Sequence, residues 1–292
     1  MTLDQLIAFV WVHRTGGMRR AAETLNLPQP ALSNRIANLE KIMGNPLFER
    51  TPAGMTVTRD GARLLRYAEH MVDLHDHMRT NLARGSGTET VRIGAAETIA
   101  QAWLPDLLAA IHAAHPQATL DLSIDISVNL RSQLLARQLD LALVMGPLGD
   151  PEVVDRPLPS FPLQWLASPS RLPVDLSTVP IITYARQTRP YREMRDLALA
   201  HNGPTVRLFP SASLSAAIAL IARGVGVGAY PISLALDEIG AGIIVPFKHP
   251  WQPDALTFTA STWAQSANPM AHIAAELAVE TAKNWHAAGA ER

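Results

Sequence analysis

Apolar positions recur at helical spacing from the first residues of the chain. Leu3, Leu6, Ile7, Phe9, Val10 and Val12 share one side of a helix that Gly16-Gly17 stops. A short helix over 18–25 follows, with Ala21 and Ala22 small enough for close packing. Asn26-Leu27-Pro28 makes a tight turn, and Gln29 opens a third helix to Met43 with an inward stripe of Leu32, Ile36, Leu39 and Met43. Gly44-Asn45-Pro46 ends it, and residues 47–58 alternate around Pro52-Ala53-Gly54, the pattern of a hairpin or wing. Thr58-Arg59-Asp60 caps a helix predicted to run to about Ala83. Along it Leu64, Leu65, Ala68, Met71, Val72, His75, Met78 and Leu82 recur at near-heptad spacing. That stripe is longer than one small domain covers, so it predicts a helix–helix dimer seam. Gly85-Ser86-Gly87-Thr88 reads as a flexible linker.

Beyond the linker, strand-like and helix-like segments alternate. Candidate strands are 91–95, 119–124, 141–144, 163–167, 181–184, 206–209, 226–230 and 256–260, with helices over 99–114, 128–138, 191–200, 214–223 and 270–286. This order predicts a doubly wound α/β body with parallel sheets. The longest apolar stretch, 214–236, contains Arg223, Pro231 and three glycines, so it reads as a helix and a strand of a core and not as a membrane span.

Composition adds a division. A length of 292 residues suits two domains, and 48% hydrophobic residues suffice for sizeable cores. The net charge of −1 hides a basic front: residues 1–66 carry nine Lys and Arg against five Asp and Glu, and the rest is acidic. A basic end on an acidic body suggests a nucleic-acid-binding head on a module with another task. Cysteine is absent, which excludes disulfides, thiolate metal sites and thiol nucleophiles. The N-terminus has no basic-then-apolar leader, so a soluble, cytoplasmic protein is expected.

The third helix offers Gln29, Pro30, Ser33, Asn34 and Arg35 on its outward face, a set suited to a major groove, where Gln can pair bidentately with adenine. The surrounding string is Phe9, Val12, Ala21-Ala22, Leu25, Gln29-Pro30-Ala31-Leu32-Ser33, Ile36, Leu39-Glu40, Gly44, Leu47-Phe48, Arg50, Thr58 and Gly61. It resembles the LysR-type transcriptional regulators, and the layout of the whole chain resembles theirs. The resemblance implies a winged helix-turn-helix over 1–58, a dimerising linker helix and hinge over 59–87, and a two-lobed effector domain over 88–292 resembling periplasmic binding proteins. Lobe I is expected at about 88–161 and 266–292, and lobe II at about 162–265. The implied partners are a double-stranded DNA operator, a small-molecule effector, and further copies of the chain, a homodimer assembling into a homotetramer. RNA polymerase is a further candidate partner, and no cofactor, metal or membrane is expected. Where the family usually has Ser or Thr before the Gln, this chain has Pro28, and Gly17 stands where Ser often caps the second helix. The wing offers Ala53 and Met55, leaving Arg50 as its basic contact to the DNA backbone or minor groove.

In open α/β sheets, ligands sit at the carboxyl ends of strands, where helix N-termini offer unpaired N–H groups. Four strand-to-helix turns here carry hydroxyls: Thr98, Ser127, Thr188, and Ser211 with Ser213. Two fall in each lobe, and together they predict a pocket that accepts an anion. Arg186 or Arg189 is expected to clamp a carboxylate, and Ile99, Trp103, Val128, Met145 and Phe209 to give an apolar lining. Glu97 opposes an anion unless it turns away, pairs with an arginine, or meets a cationic or donor group on the ligand.

Other signals are weaker. His70, Asp73 and His77 share a helix face but lack a fourth ligand, so a solvated or dimer-facing stripe is the better reading. Gly224, Gly226 and Gly228 enter a strand, not a helix, which points to close backbone packing rather than dinucleotide binding. No serine sits in a nucleophile elbow. The expected function is therefore a DNA-binding transcriptional regulator controlled by a small organic, carboxylate effector. A solute-binding protein of a transport system is the alternative, and a metabolic enzyme the third reading.

Overall fold

The computed structural model describes residues 1–51, 54–83 and 90–290. The wing tip Pro52-Ala53 and the expected linker Gly85-Ser86-Gly87-Thr88 lie outside the described residues, as do the side chains of Arg50, Asp73, His77 and Leu82. The chain divides into two compact units, 1–88 and 89–292. Among the described residues, no helix is long and apolar enough to cross a membrane.

The first unit contains α1 (Leu3–Thr15), α2 (Met18–Thr24), α3 (Gln29–Met43), the hairpin β1 (Phe48–Thr51) and β2 (Gly54–Val57), and α4 (Arg59–Ala83). Thr2 and Gln5 form a reciprocal capping box at the start of α1, which satisfies two backbone donors. Glu40 on α3 accepts the backbone N–H groups of Leu47 and Phe48 at 2.8 and 3.3 Å, fixing where the wing leaves the helix. Thr58 caps α4 by accepting from the Gly61 N–H at 3.0 Å. A Cβ on Gly61 would lie 2.1 Å from the Leu47 carbonyl oxygen, so only glycine lets α4 pass the wing so closely.

The expected seam on α4 splits into two faces. Leu64, Leu65, Ala68 and Val72 pack on the core of their own unit, with Leu6, Phe9 and Leu32 among its buried residues, so they are not free for a second chain. The apolar face left in solvent is Tyr67, Met71, Leu74 and Met78, each 45–68% exposed, at spacings of 4, 3 and 4. The spacing on one helix was apolar on two sides, and α1 covers the first.

The second unit runs β3 (Thr90–Ala95), α5 (Glu97–Gln101), α6 (Leu104–Ala114), β4 (Thr119–Ile124), α7 (Ser127–Leu135), β5 (Leu141–Met145), β6 (Val153–Pro157), β7 (Gln164–Ala167), β8 (Ile181–Thr183), α8 (Arg189–Asn202), β9 (Leu208–Pro210), α9 (Leu214–Ala222), β10 (Gly228–Tyr230), α10 (Leu236–Gly240), β11 (Val245–Phe247), β12 (Phe258–Trp263) and α11 (Met270–Ala290). Lobe I holds a five-stranded sheet in the order β4-β3-β5-β12-β6. Its β3 is parallel to β4 and β5, whereas β12 is antiparallel to β5 and β6. Lobe II holds the antiparallel set β10-β7-β11 and the parallel pair β8-β9.

The sheets are therefore mixed, not parallel throughout. Strands β6 and β11 are absent from the sequence expectation because VVDRP and VPF carry charges or a proline where a strand pattern would alternate. The strand expected at 256–260 lies at Phe258–Trp263 and belongs to lobe I, so lobe II ends near 257 and not 265. The single helix expected over 99–114 is two, broken at Ala102-Trp103, with Pro105 in the first turn of α6 where its missing N–H costs nothing. Gly226 is held by close packing, since a Cβ there would lie 2.4 Å from the Pro180 carbonyl oxygen.

Two chain crossings join the lobes. Phe161 and Leu256 exchange both backbone hydrogen bonds at 2.9 Å, and Leu158 donates to Phe258 at 3.0 Å. The result is a short two-stranded strap between lobes.

Candidate functional site

In the first unit, Gln29, Pro30 and Asn34 are exposed along the start of α3, with Ser33 half-buried beside them. Arg35 is turned elsewhere. Its guanidinium pairs with Asp4 of α1 at 3.1 Å, which removes it from the outward row. Pro28 caps α3 with no side-chain bond, and Gly17 does the same for α2. The first N–H groups of α3 consequently have no side-chain partner at the cap, the arrangement that suits a phosphate oxygen.

In the second unit, a cavity of 590 Å³ opens between the lobes. It lies at the carboxyl ends of β3, β4, β8 and β9, where the following helices begin, and of β5. Of the expected residues, Thr98, Ser127, Val128, Met145, Thr188, Arg189, Ser211 and Ser213 line it. Ile99 and Trp103 do not, because both are buried in the core beneath α5. Phe209 is exposed on β9 away from the cavity, and Arg186 lies outside it, donating to the Tyr191 hydroxyl at 3.0 Å and standing over its ring.

The hydroxyls are not four equivalent caps. Thr188 and Ser213 do cap α8 and α9, accepting from the N–H groups of Tyr191 and Ala216. Thr98 falls inside α5, whose cap position is Ala96, and makes no capping bond. Ser127 is the first residue of α7, and its Oγ accepts from the Met145 N–H at 3.0 Å, tying α7 to the end of β5. The cap position of α7 is Ile126, which has no side-chain capping bond, and Asp125 just before it accepts from the Ile126 N–H at 2.7 Å and from the Asn129 side-chain amide at 3.0 Å.

Glu97 neither turns away nor pairs with an arginine. Its Oε1 reaches across the cleft, accepting the Leu214 N–H at 2.9 Å and the Ser213 hydroxyl at 3.5 Å, and also the Gln101 side chain at 3.0 Å. The positive end of α9 is thus already matched by a carboxylate of the opposite lobe. Further lining charges that the sequence reading passed over are Asp125, Arg131 and Arg192. Arg192 falls one turn after Arg189 on α8, a spacing that places both on one helix face. Tyr184 lines the floor, its ring 5.0 Å from that of Tyr230. Burial holds both hydroxyls far above the usual tyrosine range, with the Glu97 charge adding to the effect at Tyr230, so both are neutral donors and acceptors.

Residues 84–281 match the LysR substrate binding domain, and residues 3–62 match the bacterial regulatory helix-turn-helix proteins of the lysR family. The chain belongs to the LysR family of transcriptional regulators. It joins a helix-turn-helix DNA-binding domain to an effector-binding domain, and the family comprises regulators, not enzymes. Among curated relatives, it is 31% identical to the regulator DgdR of Burkholderia cepacia over 77% of this chain and 76% of that protein. It is also 31% identical to the activator AmpR of Rhodobacter capsulatus over 83% of this chain and 84% of that one. Among solved structures, the full-length regulator LysG of Corynebacterium glutamicum with bound effector Arg matches with a TM-score of 0.71, at 20% identity over 97% of this chain and 99% of LysG. That likeness extends the shared fold across both units.

Proposed function

We propose that this LysR-family regulator answers to a small organic carboxylate bound between the two lobes of residues 89–292. The observation that carries the reading is a pair of cations without counterions. Arg131 of lobe I and Arg192 of lobe II both line the cavity, and neither forms an ion pair among the described residues. Arg189 is the weaker candidate, since it already pairs with Glu193 at 3.3 Å and donates to Thr257. Thr188, Ser127 and the first turn of α7 add hydroxyl and N–H groups beside these arginines. A ligand that touches both lobes favours one arrangement of them over the other, and only such differential binding shifts a regulator.

On the DNA side, Gln29, Pro30, Ser33 and Asn34 are the residues we assign to the groove, with Arg50 to the backbone and Arg35 as a support paired to α1. The exposed row Tyr67, Met71, Leu74 and Met78 is the surface we assign to pairing of two copies, which then assemble to a tetramer in the cytoplasm. Calorimetry of the full chain against aliphatic and aromatic carboxylates tests the effector reading. Binding that falls at least about ten-fold in R131A and R192A supports it, as expected for loss of a charge-assisted bond. Equal affinity in both variants rejects the site.

A further inference from the structure

We propose that the effector is an amino-carboxylate, with its ammonium group seated between Glu97, Asp125 and the Tyr184 hydroxyl. The inference rests on the carboxylate reading above and adds the second charge of the ligand. Charge on the cavity wall supplies the first argument. Once Arg189 is set aside with its partner Glu193, the wall keeps two acids, Glu97 and Asp125, and two bases, Arg131 and Arg192. A ligand with only a carboxylate satisfies the bases and leaves both acids repelling it in a partly enclosed site, where screening is weak. A ligand carrying one charge of each sign satisfies both pairs.

Open hydrogen-bonding capacity supplies the second. All three bonds to Glu97 fall on Oε1, and Oε2 is left to accept. Tyr184 lines the cavity while only 8% exposed, and its buried hydroxyl has no partner among the described residues. An orphaned buried hydroxyl costs about 1–3 kcal/mol until something bonds it. A neutral tyrosine hydroxyl can serve either end of a ligand; Tyr184 shares the cavity wall with Glu97, whose charge also acts on Tyr230 packed 5.0 Å from the Tyr184 ring, and this favours the cationic end. The two ends of the ligand then lie on different walls: the ammonium group at the α5 and β8 ends, the carboxylate between Arg131 and Arg192.

The test is calorimetry of the full chain against a matched panel. It comprises aliphatic, aromatic and basic α- and ω-amino acids, each with its des-amino carboxylate and its decarboxylated amine. The expected result is a binding amino acid whose des-amino carboxylate binds about ten- to a hundred-fold more weakly. E97Q, which keeps an oxygen for the Leu214 N–H, should remove most of that difference while leaving the des-amino carboxylate bound as tightly or more so. If the des-amino carboxylate binds as well as the amino acid, or E97Q leaves the difference intact, the ammonium site is overturned and the carboxylate reading stands. If amines alone bind, or nothing on the panel does, both readings fall.

Discussion

The Oε1 of Glu97, at the start of α5 in lobe I, accepts the backbone N–H of Leu214, at the start of α9 in lobe II, at 2.9 Å. A helix N-terminus leaves its first N–H groups without intrahelical partners and carries a partial positive charge. Glu97 meets both needs from across the cleft, so the lobes are held by a carboxylate acting as cap for a helix it does not belong to. The bond joins segments more than a hundred residues apart and spans the cleft between the lobes.

Removing that carboxylate should loosen the cleft without unfolding either lobe. In E97A the Leu214 N–H loses a bond to a charged group, typically about 1.5–3 kcal/mol. Hydrogen exchange at 214–216 should accelerate in E97A and stay near the original rate in E97Q. Unchanged exchange in E97A would mean the contact does not hold the lobes.

The pair Arg92–Asp140 should be a stability determinant of lobe I. Asp140 is almost fully buried, and Arg92 grips both its oxygens at 2.8 and 3.1 Å while the Arg92 backbone N–H adds a third bond. Taking away the guanidinium removes two charge-assisted bonds from a buried carboxylate, so R92A should cost about 3–5 kcal/mol in denaturant unfolding. A loss under 1 kcal/mol, the range of exposed pairs, would contradict this.

On α4, a charge at Met71 or Leu74 should act on assembly, and a charge at Val72 on folding. The M71E and L74E variants place an ion in the exposed row and should sediment as smaller species with unchanged melting temperature. V72E instead buries an unpaired charge against α1 and should lower the melting temperature markedly. If M71E and L74E keep the original mass, the copies pair elsewhere.

For DNA, Q29A should relax specificity at one base position by about 1–3 kcal/mol, measured by competition between operator and single-base variants. R50A should weaken every sequence alike and flatten the salt dependence. Equal losses of Q29A on operator and random DNA would remove Gln29 from base contact.

Acid should weaken the fold through two histidines. Burial, and then neighbouring Arg14, lowers the pKa of His13 below its ordinary 6.5, and burial lowers that of His286. Both folded sites thus refuse a proton that the unfolded chain accepts. Their contribution is full above pH 6.5 and falls as pH drops below it, levelling once the folded sites also protonate. Melting temperatures between pH 7.5 and 5.5 should fall, and the double variant H13Q/H286Q should show a shallower decline.

Much of the head is readable in the residues because each device there is local. Gly16 and Gly44 end their helices in the left-handed conformation, and Thr58 caps α4 within three residues. The α4 stripe shows where such reading stops. Periodicity reports that a face is apolar, but whether α1 or another chain covers it depends on packing between distant segments. The cleft has the same limit. A shift of two residues in where α5 begins, and of one in where α7 begins, turns Thr98 and Ser127 from caps into wall residues, and Arg186 leaves the site because Tyr191 offers it a nearer partner. Glu97 looks like an obstacle in the sequence because its partner lies in the other lobe.

The two crossings between lobes carry a topological consequence. Lobe II is one uninterrupted insertion, leaving the lobe I sheet after β6 and returning at β12, and those two strands are direct neighbours with Pro157 opposite Thr259. A two-residue hairpin turn could therefore splice β6 to β12 and excise the insert without altering the order of the remaining sheet. What would be lost is half of the cleft wall, including Tyr184, Arg192 and the helix start that Glu97 grips. The shortened chain would keep its head, the exposed apolar row on α4 and a complete lobe I sheet, but only one wall of the cleft: a DNA-binding protein with half of an effector-binding domain.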